Sequence, residues 1–379
     1  MNPPNLPDPA VRDVIIIGAG PSGLAAAIAA SQRGLRYEVL EQGVLVNSIY
    51  RFPPQMVFFT TPELLEIGRL PFLSPFPKPT RAEALKYYRK VVDTYDLQIA
   101  FRERVVDVRA GGAGAAGGSD GADRAFEVET RNARGAKTVR LARHVIFAIG
   151  YYDRPVMLHV PGEDLPHVHH FYGDPHIHYR QRVVVVGGGN SAAEAALELF
   201  RAGAQVTMVH RRPSLKRTIK YWVRPDVENR IKEGSIAARF SSRVTEIRQT
   251  SVVVQGIPDD ASVEDEAARQ RELFADADAS DAPAAVVASP RAAPPVEEIP
   301  ADAVYLLTGY RADAELMCRA GVRLNDRQAP VHDAATFETN VPGLFIAGGA
   351  IAGVDTGTIF IENGRFHGEK IIDVITKKR

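Results

Sequence analysis

Arg12-Asp-Val-Ile-Ile-Ile17 runs directly into Gly18-Ala-Gly-Pro-Ser-Gly23, and an alanine-rich stretch follows. The β-branched run predicts a short strand, and the alanine-rich stretch predicts a helix. At this spacing Gly18 permits a tight turn, Gly20 lets a pyrophosphate approach the backbone, and Gly23 allows close packing of helix and strand. The helix N-terminus would attract the same anion. The stretch therefore predicts a dinucleotide-binding unit.

An acidic residue ends the next predicted strand. That strand, Tyr37–Leu40, is followed by Glu41, which lies 18 residues after Gly23. A carboxylate at this place accepts hydrogen bonds from a ribose 2′-hydroxyl and repels a 2′-phosphate. A glycine turn without a ligand is the alternative, and the strand, turn, helix and acid together argue against it. The residues expected to bind are Gly18, Gly20, Pro21, Ser22, Gly23 and Glu41.

The same arrangement recurs further along the chain. Arg182–Val186 leads into Gly187-Gly-Gly-Asn-Ser-Ala192, a helical stretch follows to about Arg201, and a strand is predicted at Gln205–Val209. Alanine in the third glycine position is a tolerated variant. Two such units predict an α/β protein with two Rossmann-type domains. In the second turn the residues expected to bind are Gly187, Gly189, Asn190 and Ser191.

The residues after the second strand differ in charge from Glu41. Instead of an acid the sequence has His210-Arg-Arg212, followed by Lys216 and Arg217. A cationic fork at this point pairs with a 2′-phosphate, and no acid is present to repel it. A solvated basic loop is the alternative, which the preceding fingerprint disfavours. We therefore expect NADPH at this site, bound through His210, Arg211, Arg212 and Arg217.

Composition excludes several classes of protein. The 379 residues are enough for two domains, and 46 Lys and Arg balance 46 Asp and Glu, so net charge indicates neither nucleic acid nor a membrane surface as partner. No apolar run reaches the roughly 18 residues that span a bilayer. The proline-rich start lacks an apolar signal segment, and Cys318 is the single cysteine. These features predict a cytoplasmic protein.

Two segments have the composition of loop insertions. Residues 110–123 are almost entirely Gly, Ala, Ser and Asp, and residues 256–302 hold 12 acidic residues against 3 arginines. Both lack the apolar content to order themselves, so we expect flexible excursions from β-hairpins. A functional acidic segment is the alternative for the second. Strand-like runs return at Ala303–Leu307 and Gly343–Ala347, before a final helix near Ile359–Ile375.

This order of elements predicts that one domain interrupts the other. Residues 1–157 and 308–379 would form the first domain, and residues 158–307 the second, inserted domain. Phe147-Ala-Ile-Gly150, Leu306-Leu-Thr-Gly309 and Asn340–Gly349 resemble the apolar-glycine strand ends and the C-terminal flavin motif of flavoproteins with two dinucleotide-binding domains. The resemblance implies FAD at the first site.

The flavin motif of that group normally ends in Gly-Asp, and its acid contacts the ribityl chain. Gly349 replaces the acid here, so the contact must be supplied differently. The resemblance also implies that the stretch 356–361 places a helix N-terminus at the pyrimidine edge of the flavin. The further cofactor-binding residues that it implies are Gln42, Ser48, Gly150, Gly348, Thr358 and Ile359.

Over essentially the whole chain the sequence resembles thioredoxin-reductase-like flavoproteins. Those enzymes carry a Cys-x-x-Cys just before the second fingerprint, whereas His167–His178 contains no cysteine, which excludes a dithiol relay. The chain is more similar to the bacillithiol-disulfide reductase family, which also lacks the dithiol. The matching segments are Asn47–Tyr50, Phe58–Thr61, Ile67–Phe72, Lys78–Arg81, Tyr87-Tyr88, Gly150–Tyr152 and Thr358–Gly368.

One position departs from this family. Its proposed reactive cysteine follows the proline of the first glycine turn, where this chain has Ser22. A serine hydroxyl cannot form a mixed disulfide, because that chemistry needs a thiolate. The resemblance thus implies the fold, FAD and NADPH, and a homodimer, but not disulfide reduction through this residue.

We therefore expect an NADPH-dependent FAD oxidoreductase that passes hydride to an external small-molecule or small-protein acceptor, for which a low-molecular-weight disulfide is one candidate. Two alternatives stay open. Phe58–Tyr88, and Pro161-Gly with His170-Phe171, loosely resemble flavin monooxygenases. The second alternative is a redox sensor that binds both nucleotides without turnover.

Histidines are concentrated in one predicted connector. Five of the ten lie between His167 and His178. A metal site would lack cysteine or a clear carboxylate set, so we expect no metal, and packing or solvent exposure is the favoured role. His170 is the candidate for a proton donor near the flavin. Cys318 lies in a predicted helix at 312–320, where we expect a buried, inert thiol.

Overall fold

The computed structural model describes residues 11–111, 125–258, 295–354 and 358–377. The chain divides into two compact units. Met1–Arg154 and Tyr310–Arg379 form the first, and Pro155–Gly309 forms the second. The sequence of the second unit is therefore inserted in that of the first.

The described strands and helices are numbered along the chain. The strands are β1 (Arg12–Ile17), β2 (Tyr37–Glu41), β3 (Ile99–Phe101), β4 (Glu103–Ala110), β5 (Phe126–Asn132), β6 (Lys137–Phe147), β7 (Val168–His169), β8 (Arg182–Val186), β9 (Gln205–Val209), β10 (Ala237–Arg239), β11 (Ser242–Ile247), β12 (Ser251–Gly256), β13 (Val296–Pro300), β14 (Ala303–Leu306) and β15 (Leu344–Ile346). The helices are α1 (Pro21–Gln32), α2 (Asn47–Tyr50), α3 (Arg81–Tyr95), α4 (Asn190–Arg201), α5 (Arg224–Lys232), α6 (Ala314–Arg319), α7 (Ile361–Gly364) and α8 (His367–Lys377).

The first unit is built on a parallel sheet. Its parallel strands lie in the order β3-β2-β1-β6-β15, and β4, β5 and the first half of β6 form an antiparallel extension. β6 changes partners at Ala142, which pairs with Phe126 on one side and Arg12 on the other. This strand order, with α1 between β1 and β2, is that of a mononucleotide-binding half.

Burial on both faces explains why β1 is β-branched from Val14 to Ile17. Val14 and Ile16 pack in the core that includes α1 and α8, whereas Ile15 and Ile17 pack in the core on the opposite side of the sheet. A central parallel strand covered on both sides has no solvent-facing position, so its sequence does not alternate between polar and apolar residues.

The second unit repeats this plan. Its parallel strands lie in the order β10-β9-β8-β14-β7, with α4 joining β8 to β9, and β11, β12 and β13 form a separate antiparallel sheet. The two Rossmann-type folds predicted from the repeat are confirmed. The ends of this unit lie together, because Val156 N–H donates to Gly309 O at 3.0 Å and Thr308 Oγ1 donates to Val156 O at 2.7 Å.

The structure corrects the extent of one predicted loop. The insertion expected over 256–302 contains β13, which pairs antiparallel with β12. Ile299, which lies opposite Val252, is the one buried side chain of β13. No strand pattern is visible in the sequence, because charged residues and proline surround Ile299. The remaining parts of the two expected loops, residues 112–124 and 259–294, lie outside the described residues.

The final helix is also corrected, since it consists of α7 and α8 rather than one element. At the break, Arg365 Nη1 donates to the carbonyls of Glu63 and Glu66, each at 2.7 Å. α8 then packs so closely on α1 that a Cβ on Gly368 would lie 2.4 Å from Ala26 N. No helix in the described part of the chain combines the length and apolarity needed to cross a membrane.

Candidate functional site

The first glycine turn is closed by packing at two of its glycines and open at the third. Gly18 has a φ of 109°, and a Cβ on it would lie 2.4 Å from Ala148 O. A Cβ on Gly23 would lie 2.0 Å from Gly18 O. Gly20 has an ordinary φ of −79°, and a Cβ there would meet no heavy atom within 4 Å. The open face at Gly20 fits the passage of a pyrophosphate.

Glu41 ties this turn to the end of β2. Ala19 N–H donates to its Oε2 and Gly43 N–H to its Oε1, both at 2.8 Å. Burial raises the pKa of the Glu41 carboxyl, although the two backbone hydrogen bonds oppose the shift. Each oxygen keeps a lone pair for a ribose hydroxyl. The sequence predicted only the ribose contact, so the bracing of the turn is an additional role.

A second acid organises the predicted residues around Glu41. Asp153 accepts hydrogen bonds from Gln42 Nε2 at 3.1 Å and from Asn47 Nδ2 at 3.0 Å. Ser48 lies nearby, since its Oγ is 4.0 Å from the Cβ position of Gly150. Sequence reasoning missed Asp153, although an acid three residues after a predicted strand-end glycine was a usable signal.

Ser22 faces the C-terminal segment of the chain. A Cβ on Gly348 would lie 2.4 Å from Ser22 Oγ, and one on Gly364 would lie 3.1 Å from the same oxygen. The hydroxyl therefore lies against the backbone of Gly348, which was predicted to contact the flavin. Position 22 has room for a small polar side chain only while these two residues are glycine.

His367, at the start of α8, holds the turn at Gly348. Its Nδ1 accepts the N–H of Gly348 at 3.2 Å, and its ring stacks on Phe337 with centroids 4.4 Å apart. Burial, and then the charge of Lys370, lower the pKa of His367 to about 4. The neutral ring can accept at Nδ1, whereas a protonated ring cannot. Sequence reasoning missed this residue.

The space expected for an acid at the end of the flavin motif is filled by an aromatic ring. A Cβ on Gly349 would lie 2.6 Å from Tyr151 Cδ1. Burial raises the pKa of the Tyr151 hydroxyl. Tyr151, the residue after Gly150, therefore occupies the space that the acid missing at position 349 would have filled.

The helix start predicted for the stretch 356–361 lies at its last residue. The first two of these residues lie outside the described part of the chain, and α7 begins only at Ile361. Thr358 and Ile359 precede it. Asn363 Nδ2 donates to Thr358 O at 3.0 Å, so a side chain of the helix itself fixes this approach segment.

The second glycine turn has the same geometry as the first. Gly187 has a φ of 146°, and a Cβ on it would lie 2.4 Å from Leu307 O. Gly189 has a φ of −104°, and the nearest atom to its Cβ position is Lys216 Cδ at 3.8 Å. The turn is again closed at its first glycine and open at the next fingerprint glycine, which fits a second pyrophosphate.

The residues after β9 form a loop, residues 211–220, which we call the basic loop. Leu215 is 4% exposed and anchors it in the core of the unit. Lys216 N–H donates to Gly188 O at 2.9 Å, so the loop returns to the glycine turn. The predicted cations are exposed or partly exposed, and they are Arg211, Arg212, Lys216 and Arg217.

His210 differs from the cation that the sequence predicted. It is buried, and its Nε2 lies 2.3 Å from the Cβ position of Gly188, so the ring lies directly against the turn. Burial, and then the charges of Arg212 and Arg211, lower the pKa of His210 to about 4. The ring is therefore neutral near pH 7 and adds no positive charge to the fork.

Asn190 and Ser191, the predicted binding residues at the start of α4, are both exposed. Ser191 is open to solvent at the turn. The side chain of Asn190 is already engaged, because its Oδ1 accepts the N–H of Lys220 at 2.8 Å. Its position fits a role in shaping the site as well as the predicted binding role.

The histidine-rich connector is organised around Tyr305. His178 Nε2 lies 2.7 Å from the Tyr305 hydroxyl, and its Nδ1 lies 2.8 Å from Gln181 Oε1. The ring of His169 lies 5.1 Å from that of Tyr305, and burial lowers the pKa of His169. His170 belongs to a separate contact, with its Nε2 3.8 Å from Glu163 Oε1. Within the described ranges no group of three or more His, Cys, Asp or Glu residues is placed to hold a metal ion.

The prediction of a buried thiol at Cys318 is wrong. α6 turns Leu316 and Met317 into the core and leaves Cys318 exposed. The apolar character of cysteine suggested burial, but the helix has only enough inward positions for its two larger apolar residues.

Comparison with known proteins agrees with this geometry. Residues 15–269 match the family described as pyridine nucleotide-disulphide oxidoreductase. Bacilliredoxin reductase Bdr of Bacillus subtilis (strain 168) is 37% identical over 365 residues, which cover 96% of this chain and 97% of that protein. The sequence resemblance to thioredoxin-reductase-like flavoproteins and to the bacillithiol-disulfide reductase family is confirmed.

Solved structures support the same relationship. Bacillithiol disulfide reductase Bdr from Bacillus cereus superimposes with a TM-score of 0.82 at 35% identity, covering 97% of this chain and 99% of that one. A thioredoxin reductase from Lactococcus lactis gives a TM-score of 0.67 at 20% identity, covering 97% of this chain and 98% of that one, and shares the fold.

We predict that Gly20→Ala folds normally and loses FAD. The added methyl meets no protein atom and the backbone φ is ordinary, so only a ligand on the open face can clash with it. The measurements are flavin absorbance per protein and melting temperature. Gly173→Ala is the matched control, since a Cβ there also meets nothing within 4 Å. Stoichiometric FAD in Gly20→Ala would show that the site is misassigned.

We also predict that the free energy of unfolding decreases as the pH is lowered from about 6.5 to about 4, and that His367 contributes to this loss. Its folded pKa lies below its ordinary value of 6.5, so the unfolded chain takes up a proton in this range that the folded chain does not. His367→Asn keeps an acceptor near the Nδ1 position but cannot titrate. Between pH 7 and pH 5 we expect the free energy of unfolding, measured with denaturant, to fall by about 1 kcal/mol less in this variant than in the native protein. Equal losses would contradict this role.

Proposed function

The chain belongs to the pyridine nucleotide-disulphide oxidoreductase family, and from that premise we propose an NADPH-dependent FAD oxidoreductase that passes hydride to the flavin and on to an external acceptor. Family membership makes it a flavin-dependent oxidoreductase that works with a pyridine nucleotide. One contrast carries the finer proposal. Two equivalent strands end differently, β2 in Glu41 and β9 in the basic loop.

The residues of the first unit fit FAD. Gly20 offers an open face to the pyrophosphate, α1 directs its N-terminus to the same place, and Glu41 retains lone pairs for the ribose. When bound, a flavin and a nicotinamide supply two-electron storage and hydride transfer. The protein contributes binding, orientation and a fixed electrostatic environment. We assign Gly348, held by His367, to the part of this site that faces the flavin.

The residues of the second unit fit NADPH better than NADH. Arg211, Arg212 and Arg217 can form charge-assisted hydrogen bonds with a 2′-phosphate, and Arg is suited to bidentate contacts. No acid takes the place that Glu41 has in the first unit. The neutral ring of His210 packs against Gly188 of the turn and adds no charge.

For the acceptor we propose a small molecule or small protein that takes electrons without a covalent thiol relay. The names of the relatives refer to bacilliredoxin and to bacillithiol disulfide. In this chain Ser22 lies next to Gly348 and cannot attack a disulfide. Cys318 is exposed on α6 of the first unit. Anaerobic stopped-flow reduction by NADPH, followed by mixing with candidate acceptors, tests the proposal directly.

Two further expectations come from the resemblance and the composition. We propose that the protein is a homodimer, which sedimentation of the flavin-loaded chain would measure. We also propose that it works in the cytoplasm, where a single cysteine stays reduced.

The basic loop should favour NADPH over NADH by at least about tenfold in kcat/KM, or about 1.4 kcal/mol. Replacing Arg211 and Arg212 by alanine should raise the KM for NADPH and leave that for NADH nearly unchanged, because only NADPH carries the 2′-phosphate. The control replaces Arg224 and Lys232 of α5 by alanine, which removes the same charge elsewhere in the unit. Equal effects on both nucleotides would refute the assignment.

Ser22 should separate this protein from a thiol-dependent reductase. We expect slow NADPH oxidation with oxygen or quinones and little or no turnover of bacillithiol disulfide, since the hydroxyl stays protonated near pH 7. Ser22→Ala should keep most of the oxidase rate. Ser22→Cys should form a mixed disulfide, detectable by mass spectrometry after the disulfide is added, because a helix N-terminus lowers a thiol pKa.

The decisive assay is anaerobic turnover of bacillithiol disulfide. If the native protein turned it over rapidly and both Ser22→Ala and Cys318→Ala retained that rate, no protein thiol would be needed. Position 22 would then not be the feature that divides this chain from its relatives.

A further inference from the structure

The basic loop is attached to the second glycine turn at several points along its length. Leu215 and Ile219 are both 4% exposed and pack in the core of the unit. Between them, Lys216 N–H donates to Gly188 O at 2.9 Å. The cationic side chains are therefore carried on backbone that is fixed relative to the nucleotide turn.

One polar side chain closes the far end of the loop. Asn190, the first residue of α4, accepts the N–H of Lys220 on its Oδ1 at 2.8 Å. Its Nδ2 donates to Thr218 O at 3.4 Å, which is the weaker of the two contacts. Lys220 Nζ in turn forms an ion pair with Glu194, one turn further along α4. A single side chain at the start of the helix thus holds two backbone groups of the loop.

This attachment opposes two effects that would disorder the loop. Arg211, Arg212, Lys216, Arg217 and Lys220 carry like charges within ten residues, and like charges repel each other. Ordering an exposed loop at the moment of binding also costs conformational entropy, which lowers affinity. A loop that is held in place before the nucleotide arrives presents its cations without that cost.

We propose that Asn190 is a positioning residue that sets the preference for a 2′-phosphorylated nucleotide, acting through the basic loop rather than through the nucleotide. This inference rests on the proposed use of NADPH. It differs from the binding role predicted for Asn190, because the side chain is already engaged by the backbone at residues 218 and 220.

The test uses the full flavin-loaded chain and binding rather than turnover alone. Trp222 is the only tryptophan of the chain, and its ring lies 5.8 Å from Lys220 Nζ, so its fluorescence reports on this loop. In Asn190→Ala we expect NADP⁺ binding to weaken about fivefold and NAD⁺ binding to change by less than about twofold. With NADPH the KM should rise while kcat is largely kept.

Two further variants separate positioning from general damage. Asn190→Gln keeps an uncharged amide that can accept Lys220 N–H and donate to Thr218 O, and it should retain more of the preference than Asn190→Ala. Asn229→Ala, which truncates an exposed asparagine on α5, should change nothing. Trypsin should cut the loop at Lys216, Arg217 or Lys220 faster in Asn190→Ala than in either of these two variants. A loop that is no longer fixed by Asn190 is more accessible to the protease.

The outcomes distinguish this inference from the proposed function. If the unmodified protein showed no preference for NADP⁺, the proposed function would fail. If the Arg211 and Arg212 replacement abolished the preference while Asn190→Ala retained it, only the positioning role would be overturned. Loss of NAD⁺ and NADP⁺ binding to the same extent in Asn190→Ala would also overturn it.

Discussion

The close approach of a glycine backbone to a strand-end carbonyl is the constraint on which both nucleotide units depend. Gly18 faces Ala148 O at the end of β6, and Gly187 faces Leu307 O after β14. Both glycines have positive φ, so a side chain at either would be strained as well as obstructed. Because the first glycine is fixed inward, the next fingerprint glycine faces outward, and the helix that follows begins at the same open space. Strand order, helix direction and anion site are thus set together.

Much of the fold could be predicted because its signals are local. The strand, glycine turn and helix are contiguous in sequence, and Glu41 and the basic loop each follow the next strand directly. The chemistry of these residues can also be inferred from the sequence, since an acid repels a 2′-phosphate and cations attract it. β13 was missed because only Ile299 of its five residues is buried.

The contacts of the supporting residues could not be predicted, because each joins positions that are well separated in sequence. His367 reaches Gly348, Asp153 reaches Gln42, and Asn190 reaches Lys220. Polar side chains at such positions look the same in sequence whether they face solvent or hold a backbone group. Burial was equally hidden: His210 sits beside two arginines yet is buried and neutral, and Cys318 is apolar in character yet exposed. Only the packing of the surrounding elements decides these cases.

The joined ends of the second unit have a consequence for how such a protein can change. Val156 and Gly309 are neighbours through a backbone hydrogen bond, although 152 residues lie between them. A segment whose two ends meet can be inserted or exchanged at a single point of its host without stretching the host chain. The second glycine turn and the basic loop are therefore carried on a transplantable module. A recombination event at this junction could exchange the unit proposed to bind the electron donor while leaving the first unit untouched.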